Sequence, residues 1–559
     1  MRQICSQQLL LGNVECKTLG KVEVIMANKN LFKSPGVEAK VPVADTVNNA
    51  GGKAYLFDKK HCIAQIACTN CFNGTFYASA EDSLKLAKDA ALALKEDPEF
   101  LAKVALYSRE KGYMKDMPSF LVVLLAELDS KLFRKVFPKV IDNGKMLRNF
   151  CQMARSGAVT GKVRNLSSGA VRHAIQQWFD VRGPYALFKA SIGNDPSMKD
   201  MLRMARPKPN SEEKNALFAY FLGKDVSLSK LPEVVREYEE FKKTKKGKAP
   251  NVDFRFLDSL GLNDEHWVDI AKDAPWQMTR MNINTFARHN VFKNKEVTSV
   301  VADRLRNKEE IVKACQFPYQ MYSAWKATVD NSEVPFEIRD ALQDAMEISI
   351  DNVPEIKGNI LVCVDTSGSM GSPITGGDSK SSKPVSKIPC VDVAGLFASA
   401  IARKNRSAEI WTFSNSANRV RLNPRDTVIT NTKLLAKAGG GTNISAPMIE
   451  FNKAKKKADA IIYVSDYESW IDNGYSAYGG TGLSLEWEKF KKNNPKAKLV
   501  CIDLTPRNNS QIKVRKDVLQ VGGFSDNVFN VISSFLEHGD SADHWVSEIE
   551  KVDLDANKK

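Results

Sequence analysis

At 559 residues the chain exceeds what one hydrophobic core organises, so two or more domains are expected. Hydrophobic residues make up 43% and charged residues 26%, which excludes a disordered chain, and no run approaches the roughly 20 apolar residues of a membrane helix. A formal net charge of +15 favours a polyanionic partner, either nucleic acid or an acidic membrane surface.

In chain order, residues 1–45 read as a weakly ordered extension of mixed polarity ending in SPGVEAKVP. Met26 opens MANKNLFKS and is a second candidate start, which would make residues 1–25 an extension of the gene model. The N-terminal MRQICSQQLLLGN is too short and too polar in its apolar part for a signal peptide. Cys62, Cys68 and Cys71 form the one cysteine cluster, without the second ligand pair a tetrahedral zinc site needs. The other cysteines sit in apolar runs such as ILVCVD and KLVCID and read as buried thiols in a reducing, cytoplasmic compartment.

From about residue 80 to 350 the pattern is helical almost throughout, within a helical domain placed at 46–350. EDSLKLAKDAALALKED, PEFLAKVALYSREKG, PSFLVVLLAELDS and KLFRKVFPKVIDNG carry apolar residues at helical spacing, with breaks expected at Gly112, Pro118, Ser130 and Gly144. Short-linked amphipathic helices over this length predict an α-solenoid of stacked helix pairs of the degenerate HEAT type. Between residues 145 and 208 lies a basic stripe that includes Lys162, Arg164, Arg172, Lys199, Arg203, Arg206 and Lys208, with His173 beside Arg172. Such a stripe neutralises phosphates and makes affinity fall with salt. Lys199 and Arg203 are four apart and share a helix face. In TRMNINTFARHNVF, Arg280, Asn284 and Arg288 fall at helical spacing with His289 adjacent; they suit either contacts to a single strand or a network joining repeats.

The composition shifts near residue 352. KGNILVCVDTSGSM, AEIWTF, ADAIIYVSDYES and AKLVCIDLTP are buried-strand patterns alternating with helices, which predicts a doubly wound α/β domain over 355–540 with a parallel sheet. Residues 372–389 form a Ser/Lys/Gly-rich loop expected to be mobile, and 541–559 read as a C-terminal tail. The first strand runs directly into Asp365-Thr-Ser367-Gly-Ser369, at the carboxyl end where open α/β sheets place their sites. GGGTN supplies Thr442 and IIYVSD supplies Asp466. These are hard oxygen donors on three strand-end loops, suited to Mg²⁺ with an open position for water or a partner's carboxylate. In this order the three elements resemble the metal-ion-dependent adhesion site of von Willebrand factor A-type domains.

The whole chain is similar to the Ro ribonucleoprotein, or TROVE-module, family over about residues 46–540. The similarity is carried by AGGKAYLFDKKHCIAQIACTNCFNGTFYAS, GAVRHAIQQWF, SMKDMLRMARPKP, PWQMTRMNINTFARHNVF, FPYQMYSAWKAT, VDTSGSM, GGGTNISAPMIE and VSDYES. The resemblance implies a ring of HEAT-like helices closed within one chain, with the A-type domain joining its ends. It also implies binding of small noncoding Y RNAs on the outer surface and of single-stranded 3′ ends of misfolded RNAs in the central hole. An exoribonuclease such as polynucleotide phosphorylase is the implied partner. Where animal members carry histidines flanking the corresponding helix, Met198 and Arg206 stand here; Arg206 keeps the charge and Met198 loses a hydrogen-bonding group. A metal-dependent protein-interaction module gripping an acidic residue is the alternative function. Catalysis is not expected, because no Walker, GxSxG or HExxH motif occurs.

Overall fold

The computed structural model describes residues 41–163, 166, 169–313, 318–374, 388–471, 479–525, 527–538 and 543–556. Met26, Arg164 and most of the loop at 372–389 lie outside the described residues. A short hairpin, β1 (Thr46–Val47) and β2 (Lys53–Leu56), opens the described chain. A run of helices follows from Lys59–Thr69 to Phe336–Ser349. The C-terminal domain contains β3 (Ile360–Asp365), β4 (Glu409–Phe413), β5 (Ala417–Val420), β6 (Ala460–Ser465), β7 (Lys498–Asp503), β8 (Asn509–Ser510) and β9 (Val518–Gly522).

The helices form for local reasons readable in sequence. Ser79 and Asp82 make a reciprocal capping box at the start of Ala80–Leu92, and Ser197 with Asp200 does the same for Met198–Ala205. In Ser130–Val140 the buried side chains Phe133, Val136, Phe137 and Val140 fall at the helical period. Pro118 is no break. It sits in the first turn of Asp116–Leu128, where a missing N–H leaves no intrahelical bond unmade. Helices pack on their next and next-but-one neighbours: Pro98–Glu110 on Asp116–Leu128 and Ser130–Val140, then Ser130–Val140 on Gly169–Asp180, then Gly169–Asp180 on Met198–Ala205. This is the stacked-pair packing of a solenoid.

The main sheet has the order β5-β4-β3-β6-β7-β9, parallel except for the antiparallel β4–β5 edge. β3 and β6 are buried at every residue, as central parallel strands with both faces covered must be. Alternate residues of β3 serve two cores. Leu361 and Cys363 join a core within the domain that includes Tyr463, Trp487 and Phe490, whereas Val362 and Val364 join the core that continues through the helical region. One face of the sheet therefore shares its apolar core with the solenoid.

Both ends of the helical run contact this domain. At the start, β2 pairs with β8, aligning Tyr55 with Ser510 and Leu56 with Asn509. The hairpin assigned by sequence to the helical domain thus belongs equally to the C-terminal one. The segment read as a tail after residue 540 is instead partly the helix His544–Glu550, packed on Lys59–Thr69 and Pro98–Glu110. His61 Nδ1 and Asp543 Oδ2 lie 2.8 Å apart, and Tyr107 Oη accepts from Trp545 Nε1 at 3.1 Å. Lys139 Nζ donates to the carbonyls of Leu554 and Ala556 at 2.5 and 2.7 Å. Its buried Trp545, Val546 and Ile549 give this helix a reason to dock that a polar terminal composition hides.

At the far end, Pro318–Thr328 packs on Cys390–Lys404, where buried Asp392 accepts from Tyr322 Oη at 2.9 Å and pairs with Lys326. With both junctions made, the contacts close on themselves within one chain. Among the described residues no helix is long and apolar enough to cross a membrane. Asp392→Ala leaves the Tyr322 hydroxyl and a part-buried ammonium without their acceptor. It is expected to cost about 1–3 kcal/mol, read as a lower Tm that Tyr322→Phe/Lys326→Met in the same background does not lower additively.

Candidate metal centre and basic surface

Of the five predicted metal donors, Asp365, Ser367 and Ser369 share one turn and Asp466 lies beside Asp365, while Thr442 is placed by its backbone on the neighbouring glycine loop. β3 and β6 are adjacent and parallel, so Asp365 at the end of one and Asp466 just beyond the other emerge side by side. Asp365 Oδ1 accepts from the Ser367 amide at 2.8 Å and Oδ2 from Ser465 Oγ at 2.5 Å, which fixes the carboxylate. The Ser367 and Ser369 hydroxyls are 3.3 Å apart. The glycine loop lies directly on this turn: Gly368 N donates to Gly440 O at 3.0 Å and Gly439 N to Thr366 O at 2.8 Å. A Cβ on Gly441 would come within 2.5 Å of Ile471 Cδ1, so the loop packs closely against the side chains after β6. Thr442 follows, buried, with its carbonyl accepting from Ser469 Oγ at 3.1 Å. Tyr467 adopts φ +56°, a left-handed conformation costly for an aromatic residue. Its amide is held by Ser465 Oγ at 2.9 Å.

Asp365, Asp466, Glu468 and Asp503 are each at most 3% exposed, and Arg507, equally buried, lies among them. The Arg507 guanidinium donates to the Asp466 carbonyl at 3.0 Å and pairs with Glu468, whose other oxygen accepts from the Ala50 amide at 2.9 Å. Burial, and then the charge of Asp466, raises Asp365 above the ordinary carboxyl range. Burial likewise lifts Asp503 and Glu468, with Arg507 opposing in both. Four buried carboxyls facing one arginine leave negative charge that a divalent cation would neutralise, and the all-oxygen donor set of two carboxylates and three hydroxyls fits Mg²⁺. Among the described residues no group of three or more His, Cys, Asp or Glu is disposed to hold a metal, so any such site here rests on hydroxyls as well. Ser465, Glu468, Asp503 and Arg507 were not legible as site residues; only their position at strand ends hinted at it.

The basic residues fare differently one by one. Lys162, His173, Arg203, Arg206 and Lys208 are exposed, and Lys199 is half-exposed. Arg172 is half-buried and donates through Nε to the Ala205 carbonyl at 3.2 Å, closing the end of helix Met198–Ala205 together with Gln176 Nε2 at 2.8 Å. It fastens one basic helix to the other. Arg206 caps that helix in a left-handed conformation. Met198 is buried. Beside Arg203 and Arg206 a hollow of about 410 Å³ is lined by Leu202, Pro207, Phe218 and Leu222, residues the charge pattern did not indicate.

The residues considered for a central hole are mostly structural. Arg280 donates to the Gln320 carbonyl at 2.9 Å, and burial lowers its guanidinium to about 10. Asn284 donates to Ala327 O at 2.8 Å and accepts from Asn331. His289 stacks on buried Trp267, ring centroids 4.3 Å apart, while Arg288 is exposed. All seven cysteines among the described residues are free, and burial pushes Cys62, Cys68 and Cys71 up to about 12, far from thiolate character.

The family model described as the Ro60 vWA domain matches residues 359–536. The RNA-binding protein RO60 of Deinococcus radiodurans is 24% identical over 524 residues, spanning 87% of this chain and 94% of that protein. The crystal structure of the Deinococcus radiodurans RO (RSR) protein superposes with a TM-score of 0.58 at 18% identity, over 86% of this chain and 99% of that one, and the two share their fold.

If the donor set binds Mg²⁺, the ion stabilises the fold by mass action, about 2.7 kcal/mol at a hundredfold excess over Kd. Asp466→Asn is expected to abolish the Mg²⁺-dependent rise in Tm while leaving the metal-free Tm equal or higher, because one buried charge is removed. A Tm rise with Mg²⁺ that persists in the variant would place the ion elsewhere.

Proposed function

We propose that the chain is an RNA-binding protein of the Ro family whose helical domain holds a small structured RNA on the surface around Met198–Ala205. The observation that carries this is the fastening of helix Met198–Ala205 to helix Gly169–Asp180 by Arg172, with Arg203, Arg206 and Lys208 exposed and Lys199 half-exposed on or just after the fastened helix. Phosphate neutralisation supplies the affinity there. The apolar hollow flanked by Arg203 and Arg206 suits an unpaired base, stacked against nonpolar side chains with its phosphate on a guanidinium. The similarity to a protein named for RNA binding points to the same chemistry.

On this reading the RNA is Y-like, and single-stranded 3′ ends of misfolded RNAs are a second class of ligand, for which Arg288 is the exposed candidate near the predicted hole. The role is binding rather than catalysis: the RNA is held for quality control or handed to an exoribonuclease of the polynucleotide phosphorylase kind, in the cytoplasm. Asp365, Ser367, Ser369, Thr442 and Asp466 would hold Mg²⁺, which supplies positive charge to the buried carboxylates and an open coordination position.

Charge reversal of Lys199, Arg203 and Arg206 together is expected to weaken binding of a small structured RNA and to flatten log K against log[salt] by about 2–3, one counterion per lost phosphate contact. Filter binding across salt concentrations measures it. Unchanged affinity and slope would move the RNA away from this surface.

A further inference from the structure

The mouth of the metal centre is covered by the same chain. Between helices Lys59–Thr69 and Ala80–Leu92, the segment 70–79 crosses the carboxyl ends of the strands. The cavity it leaves is lined by Asn73, Thr75 and Phe76 on the solenoid side and by Ser369, Asp466 and Arg507 on the other. Its volume is about 20 Å³, room for one water or one small ion. A partner's carboxylate would need more.

Tyr77 completes the cover. It is half-buried, its hydroxyl hydrogen-bonds Ser369, and its ring lies 5.7 Å from the Arg507 guanidinium. The segment is anchored at both ends. Asn70 Oδ1 accepts from the Phe72 amide at 2.7 Å, its Nδ2 donates to Ser83 O at 2.8 Å, and Ser79 caps the next helix.

We propose that Tyr77 is the chain's own closing group at this metal centre: a solenoid residue that shares Ser369 with the donor set, so that ion binding and docking of segment 70–79 stabilise each other. This rests on the metal reading above. It makes the centre a staple between the two domains and sets it apart from a site that grips an outside acidic residue. Linkage requires reciprocity: whatever Tyr77 adds to ion affinity, the ion adds to docking of the segment.

The test uses the full chain, with Mn²⁺ as probe by calorimetry and electron paramagnetic resonance, in wild type, Tyr77→Phe and Asp466→Asn. Tyr77→Phe removes one hydroxyl and keeps the ring, and metal-free Tm verifies that it folds. Outer partners of metal ligands typically contribute on the order of tenfold in affinity, so the Kd for Mn²⁺ should rise by about that factor. Hydrogen exchange is the second readout: Mn²⁺ should slow exchange of amides 70–79 in wild type, and that protection should vanish in Tyr77→Phe. Equal affinity and equal protection in the two proteins overturn the role of Tyr77 and leave the metal centre standing. Wild type that binds no Mn²⁺ overturns both. An acidic peptide that binds wild type as tightly as it binds Tyr77→Ala, in Mn²⁺ alone, overturns the closed centre and favours an outside partner.

Discussion

The buried guanidinium of Arg507 is the interaction on which the two-domain arrangement turns. It is held by the Asp466 carbonyl and the Glu468 carboxylate, and the other oxygen of that carboxylate accepts from Ala50 in the opening hairpin. The ring of Tyr77 lies 5.7 Å away. One cation therefore holds the loop after β6, reaches the opening hairpin through the Glu468 carboxylate, and lies against Tyr77 of the segment 70–79. Taking such a charge out of water is tolerable only because several carboxyls surround it. Those carboxyls in turn exceed one positive charge, which is why the same place invites a divalent cation.

Around that point the apolar core does the larger-scale work. Alternation along β3 sends Val362 and Val364 toward the solenoid and Leu361 and Cys363 inward, so the sheet cannot bury both faces by itself. The helical run supplies the missing layer, with Pro318–Thr328 at one junction and Lys59–Thr69 at the other. Closure follows from the need to cover a hydrophobic face, and the polar pairs Tyr322–Asp392 and His61–Asp543 set the register of the two contacts. With its ends fixed this way, the solenoid leaves Arg203, Arg206 and Lys208 exposed to solvent.

Much of this was legible along the chain. The short, β-rich apolar runs located β3, β4, β6 and β7, and apolar residues at helical spacing located helices such as Ala80–Leu92 and Ser130–Val140. That Asp365 and Asp466 end up side by side was legible too, because each follows a strand read from the sequence and those strands pair in parallel. Less legible were β9 and the helix His544–Glu550, whose short apolar content looks unremarkable until a neighbour buries it. The helical spacing read for Arg280, Asn284 and Arg288 fails, because the chain breaks at Asn282 and puts Arg280 on Trp276–Met281 and Asn284 on Ile283–Arg288; the acceptors that hold them, Gln320 O and Ala327 O, lie some forty positions away.

Sequence by itself determined what depends on neighbours within a few residues: helix periodicity, caps, buried strands and the local Asp-x-Ser-x-Ser turn. Only the tertiary structure decided which basic side chain is free and which, like Arg172, fastens two helices, since both look alike as charges on a string. It alone brought Tyr77 over Ser369 and set Arg507 between Asp466 and Glu468. Contacts across hundreds of residues are chosen by which surfaces must be buried together, and that choice is made by the whole core at once.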